Sequence, residues 1–393
     1  MNTPHGTHLR GAARLATDAT AGLVGLVEAM HARIASVPGL PAGSERTSGI
    51  TGLVYRSIHG VTKLVGGSVD ALLRLIEPAL QGNAAPSTER EAVLAALNGV
   101  LGDHLEATHN PLATPMSLRR NGLPLDLANL NDAGPKLLLL IHGLCMNDRQ
   151  WQRNGHDHGA ALARDLGFTP FYLHYNSGRH ISENGRDLAL LLEDLLARWP
   201  QPLQRFAIVG HSMGGLLARS ALHQAAALGQ RWPAQLQDLV FLGTPHHGAP
   251  LERAGNGLDI VLGATPYAAP LARLGKVRSA GITDLRHASL LAEDGTGRDR
   301  FARGAPPPAF VPLPTGVRCF AAAASLGEHD AHVKTRLLGD GLVPLDSALG
   351  RHRDPSRVLG FAPDRQWVGQ DLNHLDLLSR EDVYTQLRTW LQD

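Results

Sequence analysis

The chain has 393 residues, of which 43% are hydrophobic, and this length and hydrophobic content are sufficient for one large domain with an appendage. It carries 37 Lys and Arg residues against 36 Asp and Glu residues. The balanced charge includes no basic tract typical of nucleic-acid binding, and the two cysteines, Cys145 and Cys319, are too few for a disulfide-stapled secreted domain. The opening segment has no uninterrupted apolar stretch before a small-residue cleavage site, and nowhere do about 18 apolar residues run together, so we expect a cytoplasmic protein without a spanning helix.

The region from residue 1 to about 110 is predicted to be helical. Apolar residues recur at helical spacing in a first stretch at 23–34 and in a second at 50–76. Thr88 followed by Glu91 indicates a capping box at the start of a third helix. We expect these helices to pack on one another and on the main domain. The alternative, helices lying on a membrane surface, is disfavoured by the scarcity of Lys and Arg on their polar faces.

From about residue 111 the pattern changes to alternating strands and helices. Short apolar segments predict strands at 136–143, 168–176, 206–210, 238–244 and 317–325. Because helical patterns separate them, we predict an α/β domain at 111–393, with a mostly parallel sheet, helices on both faces and ligands at the carboxyl ends of the strands. The segment from about 249 to 315 is rich in Gly, Pro, Ala and Leu, is too long for a simple connection, and is predicted to form a lid.

One serine stands at a glycine-rich corner of the chain. Ser212 lies in the sequence GHSMG, which fits the pattern G-x-S-x-G between a predicted strand and a predicted helix. A turn this sharp strains the serine backbone, and only glycine neighbours allow the adjacent backbone to come so close. The serine hydroxyl would then project above the sheet at the positive end of the following helix. We therefore predict that Ser212 is a nucleophile rather than part of an ordinary turn.

A nucleophilic serine needs a base that removes its proton, and the expected order along the chain is Ser, Asp, His. Asp340 lies in a glycine-flanked turn after the last predicted strand and is the candidate acid. Asp346, close to a predicted helix start, and Asp330, in a charged loop, are weaker alternatives. His374 lies in a late loop before the final helical pattern, and its place in the order makes it the candidate base among 20 histidines.

Two backbone N–H groups are also expected, because an oxyanion formed during acyl transfer needs donors. Met213, the residue after the serine, supplies one in this kind of turn. Gly143 turns the chain at the end of a predicted strand, so that the N–H of Leu144 or of Cys145 can supply the other, and Leu144 is favoured. We expect His142 to hold this loop by hydrogen bonding and Cys145 to pack within it.

Five segments in this order resemble the lipase and esterase branch of the α/β-hydrolase fold, above all bacterial lipases and the inositol-deacylase-like group. They are HGL at 142–144, GHSMGG at 210–215, GTPHHG at 243–248, DGLVP at 340–344 and NHLD at 373–376. The resemblance covers about residues 136–393. It implies a triad of Ser212, Asp340 and His374. It also implies that Leu144 and Met213 line the oxyanion hole.

Some bacterial lipases of this kind bind calcium through an aspartate two residues after the histidine, which here is Asp376. The other ligands of such a site have no counterpart that we can place, and the alternative role of Asp376 is to begin a helix. The chain also departs from those lipases in having no recognisable signal peptide and no disulfide pattern. We therefore expect neither a metal nor another cofactor.

These patterns together predict a serine carboxylester hydrolase that works through an acyl-enzyme. An apolar cluster in the predicted lid, Leu258 and Ile260–Leu262, favours lipid-like or apolar acyl esters, although it can equally serve lid packing. The expected partner is a small-molecule or lipid ester, with membrane contact through the N-terminal helices or the lid. An acyltransferase or a thioesterase would use the same residues. A membrane-binding or partner-binding protein that keeps the fold without the reaction is the alternative from another class.

Overall fold

A computed structural model describes residues 88–130, 132–249, 279–295, 307–327 and 339–392. Several sequence predictions lie outside these residues: the helices at 23–34 and 50–76, the apolar lid cluster at 258–262, and Asp330. Within the described ranges, no helix is both long enough and apolar enough to cross a lipid bilayer.

The centre of the molecule is an eight-stranded sheet. Its strands in chain order are β1 (Ser117–Arg120), β2 (Leu123–Pro124), β3 (Lys136–Ile141), β4 (Thr169–His174), β5 (Arg205–His211), β6 (Asp238–Leu242), β7 (Arg318–Ser325) and β8 (Gln366–Gln370). Their spatial order is β2-β1-β4-β3-β5-β6-β7-β8. The strands from β3 to β8 pair in parallel, and β1 is antiparallel to both of its neighbours. The prediction of a mostly parallel sheet is therefore confirmed.

Eight α-helices lie among the described residues. They are α1 (Thr88–Ala107), α2 (His158–Leu166), α3 (Ile181–Ala197), α4 (Met213–Ala227), α5 (Ala280–His287), α6 (Ala292–Gly295), α7 (Leu345–Ala348) and α8 (Glu381–Leu391). Short 3-10 helices span Asp148–Trp151, Trp232–Gln235, Pro355–Arg357, Pro363–Arg365 and Asp376–Leu378. The helix predicted to follow Ser212 corresponds to α4.

The strand side chains enter two apolar layers, because successive residues of a strand point to opposite faces of the sheet. Leu137, Leu139 and Ile141 of β3 pack in one layer with α1, α3 and α4. Leu138 and Leu140 pack in the other layer with α2 and α8. All five side chains are fully buried, which explains the continuous apolar run in the sequence. Helices thus cover both faces of the sheet, as predicted.

Helix α1 belongs to the same apolar layer as the sheet. Its Leu97 and Leu105 are fully buried there. The Glu91 carboxylate forms ion pairs with Arg119 Nη1 at 3.0 Å and with Arg149 Nε at 2.7 Å, and the capping box stays a prediction. The third predicted helix therefore packs on the main domain. The domain boundary near residue 110 stays a prediction.

Candidate active site

Ser212 occupies a strained turn between β5, which ends at His211, and α4, which begins at Met213. Its backbone has φ 54° and ψ −123°, a region that residues with a side chain rarely adopt. Two hydrogen bonds hold the turn: Ser212 N–H donates to the Leu242 carbonyl at 2.8 Å, and Gly215 N–H donates to the Ser212 carbonyl at 3.1 Å. The strain is therefore sustained by β6 and by the first turn of α4.

The turn comes very close to the end of β3. A Cβ atom added at Gly214 would lie 2.7 Å from the His142 carbonyl oxygen. A Cβ atom added at Gly143 would lie 3.0 Å from Ser212 Cβ. Glycine is required at position 214 because the two backbone segments approach one another more closely than a side chain allows, and a side chain at position 143 would displace Ser212 by a few tenths of an ångström. This approach brings the loop after β3 against the serine.

Asp340 and His374 form a buried pair. Asp340 Oδ2 lies 2.6 Å from His374 Nδ1, and both side chains are almost inaccessible to solvent. The second oxygen, Oδ1, accepts the N–H groups of Leu342 at 3.0 Å and Val343 at 2.8 Å. The ring nitrogen facing the carboxylate therefore donates, which leaves His374 Nε2 as the proton acceptor of the neutral ring. Asp346, the weaker candidate acid, instead forms an ion pair with Arg351.

The His374 ring lies beside the residue that precedes the serine. Its centroid is 4.7 Å from that of His211, and His211 Nε2 donates to the His374 carbonyl oxygen at 3.1 Å. A Cβ atom added at Gly243, the residue after Leu242, would lie 3.0 Å from His374 Cε1. Among the described residues, Ser212 makes no hydrogen bond to His374. Hydrogen bonds of a catalytic base are often long until substrate binds.

His211 adds no positive charge beside this base. Burial, and next the neighbouring His374, lower the pKa of His211 well below its usual value. His211 is therefore neutral near pH 7. A protonated His374 would accordingly meet the Asp340 carboxylate on one side and an uncharged ring on the other.

The two predicted oxyanion donors, Leu144 N–H and Met213 N–H, have no hydrogen-bond acceptor among the described residues. Cys145 N–H, the alternative to Leu144, donates to Ser177 Oγ at 3.0 Å and is therefore occupied. Met213 is also the first residue of α4, where the helix dipole favours negative charge. The two available donors thus flank the turn that carries the serine.

The loop after β3 is held from outside the sheet. The His142 ring stacks on Tyr175 with centroids 4.3 Å apart, and Tyr175 Oη donates to the His142 carbonyl at 2.9 Å. Burial lowers the pKa of His142 to about 3, so this ring is neutral at neutral pH. Burial also raises the pKa of the Cys145 thiol to about 12, which leaves no nucleophilic thiolate. His142 Nδ1 donates to the Gly143 carbonyl at 2.9 Å, in line with its predicted role of holding the loop, and Cys145 is buried within the loop as predicted.

Helix α1 and the segment around Asn176 complete this support, and neither contact with the loop was predicted from the sequence. A Cβ atom added at Gly99 of α1 would lie 2.8 Å from Cys145 Cα. Asn176 Nδ2 donates to the Gly102 carbonyl at 2.9 Å, and Ser279 Oγ donates to the Gly99 carbonyl at 2.6 Å. Two glycines three residues apart in an otherwise Ala- and Leu-rich helix were the available signal of close packing.

Asp376, the residue that the resemblance associates with calcium, is hydrogen-bonded within its own loop. Its Oδ2 accepts Asn373 N–H at 2.9 Å, and it begins a 3-10 helix. In the part of the chain that the structure describes, no group of three or more His, Cys, Asp or Glu side chains is arranged to hold a metal ion. The alternative role, an aspartate at a helix start, describes this residue.

The parallel sheet, with a strained serine between its fifth strand and the helix that follows, defines the α/β-hydrolase fold, and the predicted fold is confirmed. Residues 134–305 match the family model described as the PGAP1-like alpha/beta domain. A comparison with curated proteins finds no matching sequence.

Solved structures with similarity to this chain include three enzymes. The mature form of Bacillus licheniformis lipase BlEst2 is 16% identical, over 71% of this chain and 98% of that chain, with a TM-score of 0.42. Pyrococcus furiosus esterase Pf2001 is 13% identical, over 67% of this chain and 82% of that chain, with a TM-score of 0.39. The RedJ thioesterase of Streptomyces coelicolor, from the prodiginine biosynthetic pathway, is 16% identical, over 69% of this chain and 96% of that chain, with a TM-score of 0.35.

Proposed function

We propose that this protein is a serine carboxylester hydrolase with Ser212, His374 and Asp340 as its triad. The observation that carries the proposal is the backbone of Ser212, held at φ 54° between β5 and α4. Backbone strain of this kind is found at active sites, and here it would place the serine hydroxyl beside N–H groups that can stabilise an oxyanion. The buried pair of Asp340 and His374 supports the proposal independently, since it prepares one ring nitrogen to accept a proton.

The proposed reaction has two halves. Ser212 Oγ attacks the ester carbonyl carbon while His374 Nε2 takes the hydroxyl proton, and the carbonyl oxygen becomes an oxyanion that accepts the N–H groups of Leu144 and Met213. The C–O bond to the alcohol then breaks, and His374 returns its proton to the leaving oxygen. Water, deprotonated by His374, next attacks the acyl-enzyme and releases the acid and the serine. Asp340 orients the ring throughout and stabilises its protonated form.

The substrate we propose is an ester with a lipid-like or otherwise apolar acyl group. The apolar sequence at 258–262 in the predicted lid supports this preference, because burying methylene groups favours long acyl chains. Thioester cleavage and acyl transfer to another alcohol would use the same groups and differ only in the leaving group or the acceptor. The cytoplasmic location and the membrane contact stay predictions.

The test is hydrolysis of p-nitrophenyl esters from acetate to palmitate by wild type, Ser212→Ala and Asp340→Asn at matched folded concentration. We expect kcat to fall by about 10⁶-fold without the nucleophile and by about 10⁴-fold when the carboxylate becomes an amide. Ser356→Ala, at an exposed serine, is the matched control and should behave as wild type. Equal activity in Ser212→Ala and wild type would reject the proposal.

A fluorophosphonate probe identifies the nucleophile independently of the ester chosen. The serine oxygen forms a bond to phosphorus, fluoride leaves, and the serine proton is lost through the base. We expect the added mass on the peptide that contains Ser212 in wild type and in Ser356→Ala, and no added mass in Ser212→Ala. A label on a different residue would contradict the assignment of Ser212.

A further inference from the structure

A cavity of about 210 Å³ lies beside α4, separate from the serine turn. Its polar side chains are cationic or aromatic, and they include Arg219, Arg286, Arg357, His246, His247 and His352. No Asp or Glu is part of the lining that the structure describes. We call this space the Arg/His cavity. It is bounded by α4, by the segment after β6, by the segments at 286–290 and 307–311, and by the loop before β8.

His246 presents a buried donor that has no acceptor. Arg219 Nη1 lies 3.3 Å from His246 Nδ1, and a guanidinium can only donate, so Nδ1 accepts. Burial, and next the charge of Arg219, lower the pKa of His246 well below its usual value, so the ring is neutral and its proton is on Nε2. Among the described residues, His246 Nε2 is buried without a hydrogen-bond partner. This N–H group can therefore donate to a ligand that carries a lone pair.

Arg219 is a buried charge without a carboxylate. Its side chain is 4% exposed, and although burial lowers its pKa to about 10, it stays charged at neutral pH. Nη2 donates to the Val311 carbonyl, while Nε has no hydrogen-bond partner in the described part of the chain. Nor does any acidic side chain described by the structure form an ion pair with Arg219. Because an uncompensated buried charge is costly, the cavity favours a bound anion.

Arg357 is a further donor in the lining. It is half-buried, and its Nη2 donates to the Pro308 carbonyl at 2.9 Å. The rings of His247 and His352 lie 4.8 Å apart. Burial lowers the pKa of His247 to about 4, so this ring adds no positive charge at neutral pH. Arg219, His246 and Arg357 therefore supply the donors, and they come from three separate segments of the chain. A phosphate group has several acceptor oxygens and can therefore accept hydrogen bonds from more than one of these donors at once.

We propose that the Arg/His cavity binds the phosphate group of a free phosphate or of a phosphate ester. The volume of about 210 Å³ far exceeds the roughly 10–15 Å³ that one water needs. The positive charges of Arg219 and Arg357 repel a cation, and among the described residues no group of three or more His, Cys, Asp or Glu side chains could hold a metal ion. Arg219 follows Ser212 by seven residues, which is a rise of about 10 Å along α4. The bound group would thus lie near the proposed nucleophile without touching the reacting atoms.

Calorimetric titration with inorganic phosphate at constant ionic strength, against chloride, tests the site without any catalytic readout. We expect wild type to bind phosphate and Arg357→Gln to bind about tenfold more weakly, because hydrogen bonds to charged groups contribute that much. Arg353→Gln removes the same charge from an exposed residue outside the cavity and should bind as wild type. His247→Gln provides a second cavity variant. The proposal fails if wild type does not bind phosphate, or if both cavity variants bind it as the control does.

Competition distinguishes the two sources of the phosphate group. We would measure hydrolysis of a monoacylglycerol and of the same lipid bearing a 3-phosphate, with and without added phosphate. A KM that rises for the phosphorylated ester alone would identify the cavity as a headgroup site. Binding by calorimetry with both KM values unchanged would identify a free phosphate ligand. Either result supports the site, and absence of esterase activity would leave the calorimetric test intact.

Discussion

The close approach of α1 to the loop after β3 yields a prediction for Gly99→Ala. The new Cβ atom would lie 2.8 Å from Cys145 Cα and 3.0 Å from Cys145 Cβ, with Sγ nearer still. Ordinary van der Waals separations begin at 3.4 Å, so the two backbones must move apart by several tenths of an ångström. Leu144, the proposed oxyanion donor, immediately precedes Cys145 and would move with the loop.

The expected loss is large because oxyanion donors act over a narrow range, about 2.7–3.1 Å. Moving one of them out of reach costs about 10²–10³-fold in kcat. The helix itself should not weaken, since Ala is favoured over Gly in a helix interior by about 1 kcal/mol. Overpacking against Cys145 costs about 1–3 kcal/mol of folding free energy, so the net destabilisation is small after the gain in helix propensity. We therefore expect a folded protein with kcat reduced by about 10²-fold.

The assay combines p-nitrophenyl butyrate kinetics, the rate of fluorophosphonate labelling and thermal unfolding followed by circular dichroism. Cys145→Gly alone is the control, since Cys145 has φ 60°, which glycine adopts freely. In the double variant Gly99→Ala with Cys145→Gly, the new methyl group no longer meets Sγ or Cβ but still crowds the backbone of residue 145, so we expect partial recovery of kcat. Wild-type kcat and an unchanged melting temperature in Gly99→Ala would refute the reasoning.

Two further predictions concern stability. Asp238 is fully buried and bonds Arg205 Nε at 2.7 Å and Arg318 Nε at 2.8 Å, so Asp238→Ala should lower the free energy of unfolding in urea by about 3–5 kcal/mol; a loss below about 1 kcal/mol would contradict the role of these ion pairs. His180 Nδ1 donates to Asp284 at 3.0 Å, and this bond raises the pKa of His180. The protonated ring therefore stabilises the folded protein fully at pH values below the unfolded pKa of about 6.5. That stabilisation is lost as the pH rises through the raised pKa of the folded state. His180→Gln should therefore destabilise the protein more at pH 6.5 than at pH 9 in urea unfolding, and an equal loss at both would contradict this linkage.

The sheet could be predicted where its strands are buried on both faces. β3 and β5 are short, continuous apolar segments that end in glycine or at the serine turn, and such segments are too short for a typical buried helix. β1 and β8 were missed because each lies in an outer part of the sheet and carries polar side chains, as in SLRR and QWVGQ. Partial exposure removes the hydrophobic signal on which such predictions depend.

The candidate site was predictable to the extent that chemistry fixes residue types and their order. Ser212, Asp340 and His374 could be proposed because the turn motif and the Ser, Asp, His order narrow the choice among many aspartates and histidines. The supporting packing could not be predicted, since Gly99 meets Cys145 only after the chain has folded. The Arg/His cavity likewise combines residues from several separate segments, and none of them forms a motif by itself.

The hydrogen bond between Gly99 and Ser279 also sets an order of events during synthesis. These residues are 180 positions apart in the chain, so α1 leaves the ribosome long before the segment that covers it. At about 5–20 residues per second, the interval is about 10–35 s. Cys145 and Asn176, which contact the same face of α1, are made much earlier than Ser279. The nascent helix can therefore meet these two partners first, and its bond to Ser279 has to wait until the second half of the domain is made.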